Sequence, residues 1–306
     1  MAVSGKPENA LLKEVSRSFY LSLRLLPRAM RGAASLGYLL ARASDTIADS
    51  AVAPVELRLE YLEAFGRTVA GEREGPRWPA VLLNAVPDAA ERRLLEATGE
   101  LVAWLGRLPQ GEAGLVREVL ETIIGGQALD LQRFGKASRE EPAGLKDEGE
   151  LEDYAWRVAG CVGAFWTKLG FLTMGGKFSK APEAELMEHG IAYGKGLQLV
   201  NILRDVPADL AAGRCYLPVA DPGNVEEIME CHARWVEKAS EWVGHGKIYT
   251  ELLESRRLRV ASGLPARIGE KTLDALRGAS WERLGKRVKV GRGAVYGAMA
   301  RALFSR

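Results

Sequence analysis

Apolar residues recur along most of this chain at spacings of three and four, which is the period of an amphipathic α-helix. Strict alternation of apolar and polar residues over more than five positions is rare, so the pattern predicts no credible β-sheet. We therefore expect an all-α protein of about ten helices. The clearest helical segments are Leu11–Leu26, Ala33–Ile47, Val55–Val69, Arg92–Leu105, Leu115–Phe134, Tyr154–Leu172, Glu183–Val206, Val225–Val243 and Lys247–Val260.

The breaks between these segments are rich in glycine and proline, which favour turns. The longest of them are Gly71–Pro79, Gly135–Gly149 and Gly213–Gly223. None is long enough, or biased enough in composition, to indicate a linker between domains. The sequence therefore predicts a single all-α domain over residues 1–306.

The overall charge excludes one class of function, and its distribution suggests another. A net charge of +2 gives no case for nucleic-acid binding by the whole protein. Residues 251–306, however, hold 13 Lys and Arg against 5 Asp and Glu, whereas the rest of the chain is net acidic. Such a basic segment suits phosphate groups or an anionic membrane surface. A solvated basic helix face is an equally weighted alternative.

Cysteine usage and hydropathy indicate the compartment. Cys161, Cys215 and Cys231 are far apart and form no Cys-x-x-Cys pair, which argues against a disulfide framework or a zinc site. The N-terminal residues lack the apolar core of a signal peptide. The longest uncharged, mainly apolar stretch, Val158–Trp166, is far shorter than the ~20 residues that span a bilayer. We expect a cytoplasmic protein, with peripheral contact at the inner face of the membrane left open.

Two pairs of aspartates carry the chemistry that the sequence suggests. Asp45 and Asp49 end one predicted helix, and Asp205 and Asp209 end another. Spacing of four residues puts both carboxylates of a pair on one helix face, with Cβ atoms ~5–6 Å apart. Their repulsion, ~0.2–0.5 kcal/mol on an exposed helix, gives folding no benefit. A hard divalent cation would reverse that sign, and Mg²⁺ prefers one or two carboxylates together with water and substrate phosphates.

The residues around each pair decide between a metal site and a solvated helix end. The segments that precede them, Gly37–Ser44 and Leu197–Arg204, are mostly too apolar for solvent-facing helices. We expect the pairs to face each other across a helical bundle, where Mg²⁺ bridges them to a diphosphate and stabilises it as it leaves. Pro207, inside the second pair, is expected to tighten or end its helix.

Three ordered motifs between residues 16 and 218 resemble those of squalene and phytoene synthases. The segment Tyr154–Gly163 is similar to the Tyr-x-x-x-Val-Ala-Gly-x-Val-Gly motif of that family. The segment Gln198–Asp209, followed by Gly213–Pro218, is similar to its second aspartate-rich region. A group of residues in the N-terminal part of this chain resembles the first substrate-binding region of the family. It comprises Ser16, Arg17, Ser18, Phe19, Tyr38, Arg42, Asp45 and Asp49.

This resemblance implies a fold and a reaction. The fold is the all-α isoprenoid-synthase helical bundle with a central apolar cavity. The reaction is a Mg²⁺-dependent, head-to-head condensation in which one prenyl diphosphate ionises and the double bond of a second attacks the allylic cation. For two farnesyl diphosphates this gives presqualene diphosphate, which is ionised again, rearranged and reduced by NADPH to squalene. Proton loss instead of reduction would give dehydrosqualene or phytoene, and a non-catalytic helical binding protein is a more remote alternative.

The resemblance also implies roles for individual residues. The expected metal ligands are Asp45, Asp49, Asp205 and Asp209. The expected catalytic residues are Tyr38, Arg42 and Tyr154. The expected substrate-binding residues are Ser16, Arg17, Phe19, Gln198, Asn201, Arg204 and Arg214. A basic loop near NADPH would include Lys289 and Arg292. The small residues Ala159, Gly160 and Gly163 suit either close helix packing or the passage of a substrate chain.

Some positions depart from the family pattern. Ala48, Ser50 and Ala208 stand where acidic residues are common, so the number of Mg²⁺ ions is left open. The Asp-Thr opening of the first pair resembles squalene synthase more than phytoene synthase. Asp130 suits either the cavity mouth or a local cap. His189, His232 and His245 show no ligand spacing to one another and are expected to be surface or structural residues.

Overall fold

The computed structural model describes residues 6–16, 19–50, 53–75, 78–286 and 288. The structure is 78% helical, which confirms the all-α prediction. Its α-helices are α1 (Lys6–Ser16), α2 (Phe19–Leu25), α3 (Arg28–Ala48), α4 (Val55–Ala70), α5 (Ala80–Ala85), α6 (Ala89–Glu96), α7 (Thr98–Arg107), α8 (Gln110–Phe134), α9 (Glu148–Ala155), α10 (Cys161–Met174), α11 (Glu183–Ala211), α12 (Val225–Leu252), α13 (Arg256–Leu276) and α14 (Trp281–Gly285). A π-helical turn, Trp156–Gly160, joins α9 to α10.

The boundary between α12 and α13 was placed wrongly because glycine has two uses. The sequence predicted a break between Val243 and Lys247, yet α12 continues to Leu252. Gly246 stays in the helix, and a Cβ added there would lie 2.8 Å from the ring of Tyr193. This glycine therefore permits close helix packing rather than a turn. The break comes instead before Ser255, whose side chain caps α13 by accepting a hydrogen bond from the backbone of that helix.

Two short strands form the only sheet among the described residues, where the sequence predicted none. Strand β1 (Ala143–Gly144) pairs in parallel with β2 (Arg214–Cys215). Backbone bonds from Ala143 N to Gly213 O (2.9 Å) and from Leu145 N to Cys215 O (3.1 Å) flank the pair. A two-residue strand is too short to leave an alternating pattern, so this pairing was not predictable. It fixes the segment that directly follows α11.

The chain divides into two compact units. The first comprises the residues up to Gly135 together with Lys168–Gly176, and the second comprises Lys136–Thr167 and the residues from Lys177 onward. In the first unit, α3 packs against α4, α6, α7 and α8. In the second unit, α11 packs against α9, the π-helical turn, α12, α13 and α14. Each unit therefore surrounds one of the two helices that carry an aspartate pair. The single domain expected over residues 1–306 stays a prediction, as does the central cavity.

One continuous helical run, Glu148–Lys177, is apolar enough and long enough to cross a membrane by length and composition alone. Of its most apolar stretch, 33% is buried within the protein. Core helices of soluble proteins satisfy the same criterion, so this is weak evidence for a membrane span.

Candidate active site

The first aspartate pair lies at the C-terminal end of α3. Asp49 is the last capping residue of this helix, and its backbone N–H donates to Asp45 O at 2.8 Å. Two further donors bind the last carbonyls: Arg58 Nη1 bonds Ala48 O (2.8 Å), and Ser50 Oγ bonds Ile47 O (2.7 Å). The negative end of a helix dipole favours cations and disfavours carboxylates. The position of this pair therefore suits a bound cation.

The Asp45 carboxylate is held by an amide from a neighbouring helix. Gln127 of α8 donates from Nε2 to Asp45 Oδ1 at 2.5 Å, and Arg42 Nη1 lies 3.7 Å from Asp45 Oδ2. Burial of the carboxyl, and next the charge of Asp49, raise the pKa of Asp45 to about 7, although Arg42 and Gln127 act in the opposite direction. Still, 44% of the Asp45 side chain is open to solvent. The ionised carboxylate is thus short of positive charge, and a cation can reach it.

Arg42 connects Asp45 to a residue that the sequence did not indicate. Its Nη2 forms an ion pair with Glu91 Oε1 of α6. Although burial lowers it, the pKa of Arg42 is raised overall by the charges of Glu91 and Asp45. Glu91 follows the α6 N-cap Asp88, which accepts from the backbone N–H groups of Ala90 and Glu91. That capping pattern is visible in the sequence, but nothing in it shows that Glu91 faces α3.

Tyr38 lies where the N-terminal helices meet α3. Its hydroxyl donates to Val15 O at 3.2 Å, and its ring centroid is 5.3 Å from that of Phe19. Ser16 is 3% exposed and donates its hydroxyl to Leu12 O within α1. The structure thus brings Phe19 to Tyr38 and occupies the Ser16 hydroxyl internally. The roles of these residues in substrate binding stay predictions, and Arg17 lies outside the described residues.

In the second unit, each aspartate of the second pair contacts its own arginine. Arg204 binds Asp205 with two nitrogens, Nε at 3.0 Å from Oδ1 and Nη2 against Oδ2. Arg214 Nη2 donates to Asp209 Oδ1 at 2.9 Å. All four side chains remain between 18% and 36% exposed. These contacts place two guanidinium groups, which match phosphate geometry, directly beside two carboxylates that suit a divalent cation.

The side chains at each aspartate pair limit how a metal ion could be bound there. Among the described residues, no group of three or more His, Cys, Asp or Glu side chains converges on one point. Each pair therefore offers at most two carboxylates, and a cation would complete its coordination with water and diphosphate oxygens. That is the arrangement Mg²⁺ prefers. Gln127 adds a second sign of fit, because its Oε1 is buried without a hydrogen-bond partner among the described residues.

A comparison with known protein families identifies the family of this chain. The family model described as squalene/phytoene synthase matches residues 12–294. This chain belongs to the squalene/phytoene synthase family. The members of this family are prenyltransferases of isoprenoid biosynthesis. The resemblance inferred from the three sequence motifs is confirmed.

Individual relatives within the family differ in their products. The presqualene diphosphate synthase of Rhodopseudomonas palustris is 32% identical over 220 residues, covering 71% of this chain and 64% of that protein. The 15-cis-phytoene synthase of Synechocystis sp. is 31% identical over 211 residues, covering 68% and 53%. The squalene synthase of Schizosaccharomyces pombe is 24% identical over 279 residues, covering 87% and 58%. The chain spans less than two thirds of the length of these curated relatives.

Solved structures confirm the isoprenoid-synthase helical fold. A ligand complex of TcSQS superposes with a TM-score of 0.79 at 22% identity, over 97% of this chain and 85% of that one. A squalene synthase from Alicyclobacillus acidocaldarius superposes with a TM-score of 0.61 at 21% identity, over 89% and 92%. At such low identity these likenesses concern the fold alone.

The motif Tyr154–Gly163 begins with a tyrosine that contacts the segment after β2. Its ring stacks on that of Tyr216, with centroids 5.0 Å apart and planes inclined by 20°. Tyr216 directly follows β2 and is only 8% exposed. The π-helical turn begins two residues after Tyr154, and such turns occur frequently at functional sites. The sequence singled out Tyr154, but it gave no role to Tyr216 within the segment Gly213–Pro218, because stacking between distant segments leaves no local signal.

The small residues of this motif pack helices together. A Cβ added to Gly163 would lie 1.9 Å from Gly190 O, and one added to Gly194 would lie 2.4 Å from Ala159 O. A Cβ on Gly160 would meet the side chain of Lys195 at 3.0 Å. Of the two interpretations left open, helix packing is therefore the one that the contacts favour. The close approach fixes α11, which carries the second aspartate pair.

The remaining residues that the sequence singled out are a proline, two histidines and four expected binding residues. Pro207 does not end its helix, since α11 continues to Ala211. His189 and His245, which show no ligand spacing in the sequence, contact each other, with their Nδ1 atoms 2.8 Å apart. Gln198 is half-buried and Asn201 is exposed on α11, and their roles stay predictions. The two residues expected near NADPH, Lys289 and Arg292, lie outside the described residues.

Proposed function

We propose that this chain is a Mg²⁺-dependent enzyme that joins two farnesyl diphosphates head to head and reduces presqualene diphosphate to squalene with NADPH. The observation that carries the proposal is that each aspartate pair lies near the end of its own helix and has at least one arginine beside it. Arg42 approaches Asp45, and Arg204 and Arg214 bind the second pair. Carboxylates for Mg²⁺ and guanidinium groups for phosphate oxygens are together the chemistry of a diphosphate site.

The bound Mg²⁺ would neutralise the diphosphate as it leaves. The carboxylates of Asp45 and Asp49 in one pair, and of Asp205 and Asp209 in the other, would be the protein ligands of Mg²⁺. Three arginines that now contact carboxylates would exchange those partners for diphosphate oxygens: Arg42, Arg204 and Arg214. Because each guanidinium already lies beside its pair, the exchange needs only a side-chain movement.

Two tyrosines would act on the hydrocarbon part of the reaction. The ring faces of Tyr38 and Tyr154 can stabilise an allylic cation, and their hydroxyls can accept or return a proton. The stack between Tyr154 and Tyr216 would hold the orientation of the Tyr154 ring. The hydroxyl of Tyr38 is engaged with Val15 O, which would fix that ring in the same way.

A second candidate function is release of presqualene diphosphate without reduction. The relative from Rhodopseudomonas palustris, at 32% identity, is a presqualene diphosphate synthase and favours this possibility. Phytoene or dehydrosqualene synthesis, which needs no reductant, is the third product class within the family. The three candidates share the first condensation and differ in the later steps.

One incubation separates these candidates. Purified protein is mixed with Mg²⁺ and either farnesyl or geranylgeranyl diphosphate, with and without NADPH, and the products are identified by mass spectrometry. Squalene that forms only with NADPH supports the proposal. Presqualene diphosphate in both mixtures supports the second candidate, and dehydrosqualene or phytoene supports the third. No condensed product and no diphosphate release in any mixture would contradict all three.

We further propose that the protein works in the cytoplasm, at the inner face of the membrane. The basic composition of residues 251–306 supports attraction to anionic lipids, and a hydrocarbon product has to enter a bilayer. Flotation with anionic vesicles at low salt, lost at high salt or with neutral vesicles, is the expected result. Equal flotation with neutral vesicles would contradict an electrostatic contact.

A further inference from the structure

Pro207 removes a hydrogen bond from the helix that carries the second aspartate pair. It stands between Asp205 and Asp209 in the body of α11. Proline has no backbone N–H, so the carbonyl of Leu203, four residues earlier, cannot accept its usual helical bond. Leu203 is 0% exposed, and a buried carbonyl without a donor is unfavourable. Another donor is therefore needed at this point of the helix.

A histidine from the neighbouring helix occupies that position. His232 of α12 is 2% exposed, and its Nε2 lies 3.1 Å from Leu203 O. Because a carbonyl oxygen only accepts, Nε2 must carry the proton and donate. Burial lowers the pKa of His232, so the neutral ring is favoured. The neutral ring with its proton on Nε2 satisfies this contact without placing a charge in the core.

The packing of α11 on α12 keeps this bond in place. A Cβ added to Gly196 of α11 would lie 2.7 Å from Val243 N and 2.9 Å from the side chain of Trp242. The two backbones therefore approach closely at Gly196, about two helical turns before Leu203. An interface this close fixes the position of His232 relative to the turn before Pro207.

We propose that His232 is a positioning residue for the second aspartate pair. It supplies the donor that Pro207 lacks and thereby holds the helical turn from Leu203 to Asp209 in one geometry. This inference rests on the proposed function in one respect, namely that Asp205 and Asp209 hold the cation. Without the donor, the turn bends to seek another partner for the Leu203 carbonyl, and the two carboxylates lose their shared face.

Four variants test this role in the full chain. His232→Leu removes the donor at similar volume, and His232→Gln keeps an N–H donor on a side chain of similar reach. Pro207→Ala restores the backbone N–H, and the double variant Pro207→Ala/His232→Leu combines that restoration with loss of the histidine. All are made in an Asp45→Asn/Asp49→Asn background, so that only the second pair can bind a cation.

Affinity for Mn²⁺, with inorganic diphosphate present, is measured by electron paramagnetic resonance. His232→Leu is expected to weaken binding about tenfold, as loss of a supporting hydrogen bond does at metal sites. His232→Gln and the double variant are expected to recover most of that loss. A double variant as weak as His232→Leu alone would overturn the proposal, because a merely structural histidine would not be rescued at Pro207.

Two further readouts keep the proposal testable if His232→Leu folds poorly. The ¹⁵N shifts of the wild-type ring are expected to show the proton on Nε2, and a ring protonated only on Nδ1 would contradict the donor role. His232→Met, which has no donor and can adapt its shape to the core, is expected to lower the unfolding midpoint more in the wild-type background than with Pro207→Ala, and equal losses would contradict the coupling. Absence of Mn²⁺ binding by the Asp45→Asn/Asp49→Asn protein would instead contradict the metal role of Asp205 and Asp209. The ¹⁵N shifts and the unfolding midpoints would still test the hydrogen bond from His232.

Discussion

Replacing Asp45 by asparagine is expected to stabilise the metal-free protein, and to do so only where the carboxyl would be ionised. The protein surroundings raise the pKa of Asp45 from 3.8 to about 7. The folded protein therefore keeps a proton that the unfolded chain has lost between about pH 4 and pH 7, so this group's contribution to stability falls as pH rises through that window. The asparagine of the variant would have no such dependence, and its Oδ1 would still accept from Gln127.

The magnitude follows from the shift and from the exposure of the side chain. A fully buried carboxyl with this change in pKa would cost ~4 kcal/mol when ionised. Since 44% of the Asp45 side chain is open to solvent, screening reduces the expected cost to about 1 kcal/mol. The advantage of Asp45→Asn over wild type is therefore near zero at about pH 4 and rises with pH to about 1 kcal/mol once the carboxyl of the folded wild type is ionised.

Urea unfolding across this pH range, in the absence of divalent cations, measures the difference. Asp274→Asn serves as the control, because its side chain is 73% exposed and pairs only with Arg277 among the contacts of the described residues. Saturating Mg²⁺ should remove the advantage, because wild type gains stability from a ligand that Asp45→Asn binds poorly. Wild type more stable than Asp45→Asn above pH 7 without cation, or a difference that does not change with pH, would refute the reasoning.

Three other predictions concern packing, orientation and thiol reactivity. Gly163→Ala should lower the free energy of unfolding by about 3 kcal/mol in denaturant titrations, because its Cβ would meet Gly190 O at 1.9 Å. The control Gly244→Ala, with open space around it, should not destabilise the protein. Equal effects of the two variants would contradict the packing role of Gly163. Tyr216→Leu should lower kcat about tenfold and Tyr216→Phe much less, since only the phenylalanine keeps the stack on Tyr154; equal losses would point to the hydroxyl instead. The three cysteines are buried, and burial raises the pKa values of Cys161, Cys215 and Cys231 to about 12, 11 and 11. A thiol reagent near neutral pH should therefore label them only after unfolding. Rapid labelling of the folded protein would contradict this prediction.

Helix type and several boundaries were predictable because periodicity reports which face of a helix is buried. The segment Val55–Val69 corresponds to α4 almost residue for residue, and Glu183 begins α11 as expected. Pro207 was misjudged because a local rule cannot anticipate a donor from another helix, which here is His232. The strand at Arg214 was missed for the same kind of reason, since its partner lies about 70 residues earlier in the chain.

The candidate site was predictable to the extent that its residues lie in short motifs. Both aspartate pairs were found from spacing and residue type, and the family resemblance implied Arg204 and Arg214. The structure places each of these arginines on a carboxylate. Gln127 and Glu91 were missed, although they contact Asp45 and Arg42. Both come from other helices. The sequence does not show whether a polar residue on an amphipathic helix faces solvent or a neighbouring helix.

The central claim is that both aspartate pairs bind Mg²⁺ and release diphosphate from a prenyl substrate. Its most direct test is a single-turnover measurement of inorganic diphosphate released from farnesyl diphosphate, by wild type, Asp45→Asn and Asp205→Asn, each verified as folded. We predict release that requires Mg²⁺ in wild type and falls at least about a hundredfold in each variant, in keeping with the loss of a metal ligand. Release without a divalent cation, or wild-type rates in either folded variant, would contradict the claim.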